Sequence, residues 1–394
     1  MDPRVESMAK ILVEYSTKVQ KGDIVRIFGH IPAAPLVEAC YVEVLKAGGN
    51  PIANIGLPGL QKLFYDYASD DQLSWVNPLM IDRAEKVDVS IGIWAESNIS
   101  ELKNVPTEKQ NLSSKSMIPY RKIAMERSAA WGGDPTAFTY EKEDEDGNLI
   151  TVPSFRWVGC IYPTEAYAQN AEMSLKEYED FVFGATGATL GPADAIKYWK
   201  DLSAQQEIIC NYLNGKNELT FKSDNCDLVM SLEGRKWINC DGRLNFPDGE
   251  VFSAPVEDSV NGWVNFTFPT TYRGRKVNAV QLKFKNGKCV EAVASNDEET
   301  EFLNTTLDTD EWSRGVGEIA IGTNDNIQQW TGEILFDEKI GGTFHMALGS
   351  GYPETGSTQE ESGIHWDMIC DMKNGGEIRA DGELFYVNGT FLIL

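Results

Sequence analysis

Histidine is almost absent from this chain: among 394 residues there are three, His30, His345 and His365. That shortage leaves a Ser-His-Asp or Cys-His hydrolase few imidazoles to use as general base. There is no G-x-S-x-G elbow, and neither His345 nor His365 opens an H-E-x-x-H pair. The seven cysteines, at 40, 160, 210, 226, 240, 289 and 370, include no C-x-x-C pair. They read as reduced, mostly buried thiols. Positive charge is short too: 35 Lys and Arg against 60 Asp and Glu give a formal net charge of −25. Such a balance disfavours nucleic-acid backbones and anionic membranes as partners. No apolar run reaches the roughly eighteen residues of a membrane helix, and "MDPRVESMAKILVEY" lacks the pattern of a signal peptide. A soluble, cytoplasmic protein is the expectation.

The length suggests two domains. In the first half, helix and strand patterns alternate. Val5, Met8, Ala9, Leu12 and Val19 keep one helical face; "DIVRIF" (23–28) reads as a buried strand. Pro35 opens a helix that Gly48 and Gly49 end, and "PIANIG" (51–56) completes a βαβ unit. A helix over 60–75 and a strand over 87–94 follow. "EKEDEDGNL" (141–149) reads as a charged hairpin or loop with an Asp146-Gly147 turn. "GATGATLG" (184–191) lacks the Gly-Lys-Ser/Thr ending of a phosphate loop and serves as a connection. The next helix, from Pro192 to about Leu213, stops at Asn214-Gly215. After it come strand-like runs punctuated by Asp241-Gly242, Asp248-Gly249 and Asn286-Gly287, interrupted by a helix over 298–307. The expected fold is α/β plus α+β: an N-terminal α/β domain with a parallel sheet over 1–217, then a mainly antiparallel β domain over 218–394 carrying the site.

Two of the three histidines fall in "FHMALGSGYPETGSTQEESGIHWDM", 344–368. Side chains at i and i+2 of a strand share a face, so His365 and Asp367 project together. An imidazole and a carboxylate there make half a site for a divalent ion, and His345 supplies a second imidazole. Alone, H-x-D is a common accident. Its company strengthens it: Glu318 leads into the apolar strand 319–321, where an unpaired carboxylate is costly, and Glu338 precedes His345. Glu250 follows a tight turn, where a surface carboxylate is the ordinary reading. Several carboxylates and two imidazoles in one β domain suit two divalent ions, the arrangement of metal-dependent hydrolases. The donor set accepts Zn, Co or Mn. The residues alone do not name a substrate.

The blocks "GRLNFPDGEVFSAPVEDSVNG", "WSRGVGEIAIGTN", "LFDEKIGGTFHMALGSGYPETG" and "SGIHWDMI" resemble the aminopeptidase T, aminopeptidase S and aminopeptidase II group of metallopeptidases. The first half is similar more loosely, in "KGDIVRI" and "PLVEACYVEVLKAGG". The resemblance implies an exopeptidase that removes single residues from peptide N-termini with two cocatalytic ions. It implies Glu250, Glu318, His345, His365 and Asp367 as ligands, Glu338 as an associated carboxylate, and Glu318 and Tyr352 as catalytic residues. Glu318 cannot be a free base while fully engaged as a bridging ligand, which leaves the division of ligand and base roles open. Asp248, Glu257 and Asp258 are acidic candidates for holding the substrate's α-amine. The resemblance also implies a homodimer acting on peptides with a free N-terminus. Two other readings remain: a two-metal hydrolase of an unrelated amide or phosphoester, and a noncatalytic metal- or peptide-binding protein.

Overall fold

The structure is a computed structural model and describes residues 2–134, 136–143, 147–359 and 362–394. The chain separates into two compact units, one of residues 1–196 with 242–246, the other of 197–241 with 247–394. No helix among the described residues is long and apolar enough to cross a membrane.

The first unit holds a five-stranded parallel sheet. Its order is Asn245–Phe246, Arg156–Ile161, Val89–Trp94, Ile24–His30 and Asn50–Gly56. The expected βαβ unit is present: the helix Ala34–Ala47 ends where Gly48 takes φ +85, the left-handed conformation that glycine adopts without steric penalty. The helix expected over 60–75 is instead two, Leu60–Tyr67 and Asp70–Leu73. Ser69 divides them with a capping box, exchanging hydrogen bonds with Gln72, and so starts a new helix where apolar spacing suggests continuation. The charged segment is a hairpin of Thr139–Glu143 with Leu149–Pro153. The Asp146-Gly147 turn involves Asp146, which lies outside the described residues.

Besides a small two-stranded sheet, Thr270–Tyr272 with Arg275–Val277, the second unit holds two large antiparallel sheets. One has the order His365–Asp371, Thr343–Gly349, Val316–Gly322, Glu250–Ser253 and Ile238–Cys240. The other has eight strands and runs from Lys288–Val293 to Thr390–Phe391. Asn286-Gly287 closes its hairpin as expected, both residues at positive φ. Asp241-Gly242 and Asp248-Gly249 close none. They flank one excursion whose strand Asn245–Phe246 joins the parallel sheet of the first unit, and the chain returns to pair Glu250 with Cys240.

All seven residues of Thr343–Gly349 are buried, so this strand is covered on both faces. Phe344, Met346 and Leu348 enter the apolar core that the two sheets share; Phe344 packs on Phe221 of the other sheet at 4.6 Å between ring centroids. His345, Ala347 and Gly349 point the other way. Phe344→Ala should lower unfolding stability by about 3–5 kcal/mol, the range for emptying a buried aromatic site. Urea denaturation checks this, and a change below about 1 kcal/mol would contradict the packing described.

Candidate metal centre

Register determines which side chains meet. Glu318 lies opposite Ala347, and Ala347 opposite Asp367, so two carboxylates flank a methyl group on one row. The next row is Ala320, His345 and Ile369. His365 lies opposite Gly349, and Glu250 opposite Gly322. By the two-residue period of a strand, all five expected ligands share one sheet face. Ala320, Ala347, Gly322 and Gly349 between them leave the space that larger side chains would fill. A bulge between Val316 and Glu318 advances the acid by one position. It needs Gly317, where a Cβ would collide with the backbone oxygens of Gly349 and Ser350.

The distances are short. His345 Nε2 lies 3.2 Å from Glu318 Oε1 and 3.3 Å from Glu250 Oε2. His365 Nε2 lies 3.6 Å from Glu318 Oε2 and 3.5 Å from Asp367 Oδ1. The other nitrogen of His365, Nδ1, is 2.7 Å from the carbonyl oxygen of Ser350. That contact turns Nε2 toward the carboxylates, the orienting device usual for a ligating imidazole. Glu338 offers an oxygen within 4.8 Å of ligand atoms of His345 and Asp367. Tyr352 packs edge-on against His365, with ring centroids 5.4 Å apart.

Sequence reasoning did not single out Lys339. It is 1% exposed and forms ion pairs with Glu250, with Glu338 at 2.7 Å and with Asp248 at 3.5 Å. The one available signal was a lysine in "FDEKIGG" just before a strand with no exposed residue. Asp248 is thus engaged with Lys339. Glu257, another candidate for the α-amine, is spent on Arg235 and on the N–H and hydroxyl of Thr358. His30 belongs to the first unit, where Nδ1 accepts from the Ala95 N–H at 3.2 Å.

Electrostatics follow from crowding charge in a buried place. Burial alone would lower both histidines, yet the surrounding carboxylates raise His345 to about 9 and His365 to about 10. Burial opposes ionisation of Asp367, but His365 and His345 hold it down at about 2. Burial raises Glu250 to about 8 against the pull of Lys339. The Tyr352 phenol lies well above its usual range through burial and the nearby carboxylates, so it remains a donor. Glu250 Oε2 and Asp367 Oδ1 are buried without a hydrogen bond. Lone pairs of this kind, beside two imidazoles, fit a divalent ion.

Comparison with known proteins agrees with this chemistry. The model of the thermophilic metalloprotease (M29) family matches residues 1–132 and 144–391. The chain belongs to that family and is a metal-dependent peptide hydrolase. It is 24% identical to aminopeptidase AmpS of Bacillus subtilis over 98% of both chains. It is 32% identical to aminopeptidase T of Thermus thermophilus over 59% of this chain and 60% of that one. The solved structure of wild-type AmpT from Thermus thermophilus superposes with a TM-score of 0.78 over 99% of both chains, at 22% identity, and shares the fold.

Ligation by His345 and His365 would require neutral imidazoles, so protons would leave both as metal entered. Both are charged at pH 7 in the metal-free protein, and affinity should therefore rise with pH, by about tenfold per unit for each proton displaced. Zinc titration calorimetry at pH 6 to 9, in buffers of different ionisation enthalpy, measures both affinity and proton release. Affinity independent of pH would contradict the assignment.

Proposed function

We propose that this chain, a metal-dependent aminopeptidase, removes single residues from the N-termini of peptides by means of two divalent cations, zinc, cobalt or manganese. The observation that carries this reading is charge. Asp248, Glu250, Glu318, Glu338 and Asp367 surround the site with one fixed cation, Lys339. Ionised, they leave four negative charges, as many as two divalent cations neutralise while both imidazoles stay neutral.

Glu250, Glu318, His345, His365 and Asp367, within the catalytic β-rich region 218–394, would hold the ions, with Glu338 beside them. Glu318 turns a different oxygen to each imidazole, Oε1 to His345 and Oε2 to His365. The ions would acidify water and polarise the scissile carbonyl. The remaining work falls to side chains. Glu318 Oε2, the more loosely held oxygen, takes the proton of the attacking water and passes it to the leaving amine. This divides ligand and base between two oxygens of one carboxylate. Tyr352, edge-on to His365, donates its phenol to the oxygen on which charge develops. The excess of negative charge favours a substrate whose free α-amine is cationic.

The proposal extends to a cytoplasmic homodimer. Support for self-association lies in the first unit, where Ile52, Ile55, Leu57, Leu60, Leu63 and Phe64 are each more than two-fifths exposed along and just after an edge strand. Apolar side chains gathered at a sheet edge are a liability unless covered.

Leucine p-nitroanilide should be cleaved, lose cleavage on chelation and regain it with zinc or cobalt, while its N-acetyl derivative stays intact. Cleavage of the acetylated substrate would move the reading to another amide hydrolase. Glu318→Gln should lower kcat by about 10²–10⁴-fold, and Tyr352→Phe by about 10²–10³-fold. Wild-type rates in either variant would remove that residue from the mechanism. Sedimentation equilibrium should give twice the 43.8 kDa chain mass; a single-chain mass at micromolar concentration would exclude the dimer.

A further inference from the structure

Lys339 is the one cationic side chain among the described residues paired with the acids of the centre, and the proposed reaction gives it no part. We infer that it is a positioning residue: its ammonium takes one oxygen from Glu250 and one from Glu338, and so sets which oxygen each carboxylate turns toward the metal ions. The inference rests on the two-cation reading and concerns how its ligands are held.

Glu250 shows the division atom by atom. Oε1 is ion-paired with Lys339, whereas Oε2 lies 3.3 Å from His345 Nε2 and has no hydrogen bond. Glu338 Oε1 is 2.7 Å from the same ammonium. Three N–H donors meet three carboxylates, with Asp248 Oδ1 the third at 3.5 Å. On the Lys339 side, Cys240, Asp248 and Glu250 bring ligand atoms within 4.8 Å of one another. That group resembles a further cation site, and Lys339 is the cation against two of its three members. The ammonium therefore divides the acidic cluster into a side it occupies and a side left for metal.

The frame that holds Lys339 is itself fixed. Asn324 donates its backbone N–H to the Lys339 carbonyl at 3.1 Å and its side-chain amide to the Asp248 carbonyl at 2.8 Å. Gly249, between Asp248 and Glu250, sits at φ +128, and a Cβ there would meet the side chain of Asn324. Asp337, two residues before Lys339, accepts hydrogen bonds from the N–H groups of Thr331 and Gly332 and from the Thr331 hydroxyl. The lysine and the strand of Glu250 are thus tied to one asparagine.

Two effects of opposite sign meet in Lys339. A fixed positive charge near a metal repels it, so on electrostatics alone its removal tightens binding. A group that orients ligands acts the other way, and its loss typically costs 10–100-fold in affinity. The direction of the change decides between them. Zinc affinity of the full-length protein is measured by chelator competition for the wild type and Lys339→Met, and the cobalt-loaded forms are compared by visible absorption. The expected result is 10–100-fold weaker zinc binding and a shifted cobalt spectrum. Unchanged or tighter binding in the folded variant overturns the inference. If Lys339→Met fails to fold, Lys339→Gln, which keeps a donor for one carboxylate, is judged by the same criterion. Failure of the wild type to bind two ions would instead remove the two-cation reading, so the failures are distinguishable.

Discussion

Burying like charges is what this molecule must solve first. Asp248, Glu250, Glu318, Glu338 and Asp367 converge where little water reaches, and a buried carboxylate without a counter-charge costs several kcal/mol. Without metal, the shortfall is met by protons. His345 rises to about 9, His365 to about 10 and Glu250 to about 8, each able to hold a proton near neutrality. With divalent cations bound the same balance would need no such protons, and ligation and deprotonation would be one event. Of the cationic groups among the described residues of the cluster, only Lys339 would keep its charge through both states. The dense hydrogen-bond frame around it follows from that, since it is the one cation that cannot leave.

The sheet makes this concentration of charge feasible. A strand buried on both faces must present apolar side chains to one side, and Phe344, Met346 and Leu348 do so. The opposite face then carries His345 at the two-residue period, with Ala347 and Gly349 as spacers. Had Ala347 been a valine, the row from Glu318 to Asp367 would close over the space between the two acids. Small residues here serve the site, where in a simple core they would be a packing loss.

Much of this was readable in the sequence, because strand periodicity is a local rule. "GIHWDMI" put His365 and Asp367 on one face before any partner strand was known, and the apolar run after Glu318 marked its carboxylate as costly. Glu250 was less legible: a carboxylate just after a turn looks solvated, and its burial depends on pairing with Gly322 and Cys240. The helix expected over 60–75 broke at Ser69 because a capping box outweighs continued apolar spacing. The strand Asn245–Phe246 has two residues, too few for any period, and its parallel partner lies at 159–160. The texture of the chain changes near 217, whereas the compact units divide at 196/197 and again around 242–246. Periodicity reports the kind of secondary structure, and contacts between distant segments decide which segments pack as one body.

Lys339 shows where local reasoning stops. In sequence it neighbours Glu338, and an acid beside a lysine is ordinarily a solvated pair worth little. In the fold its side chain is 1% exposed and its other partners are Asp248 and Glu250. A buried ammonium pays a desolvation cost that one carboxylate scarcely offsets, so it is tolerable only where excess negative charge already exists. The acidic cluster supplies that excess, and in return the ammonium holds one oxygen of Glu250 and one of Glu338 in place. The two features are therefore conditions for each other: without the acids the lysine could not be buried, and without the lysine the acids would repel one another and turn without constraint. A single substitution at position 339 would disturb both the stability of the metal-free state and the geometry offered to metal.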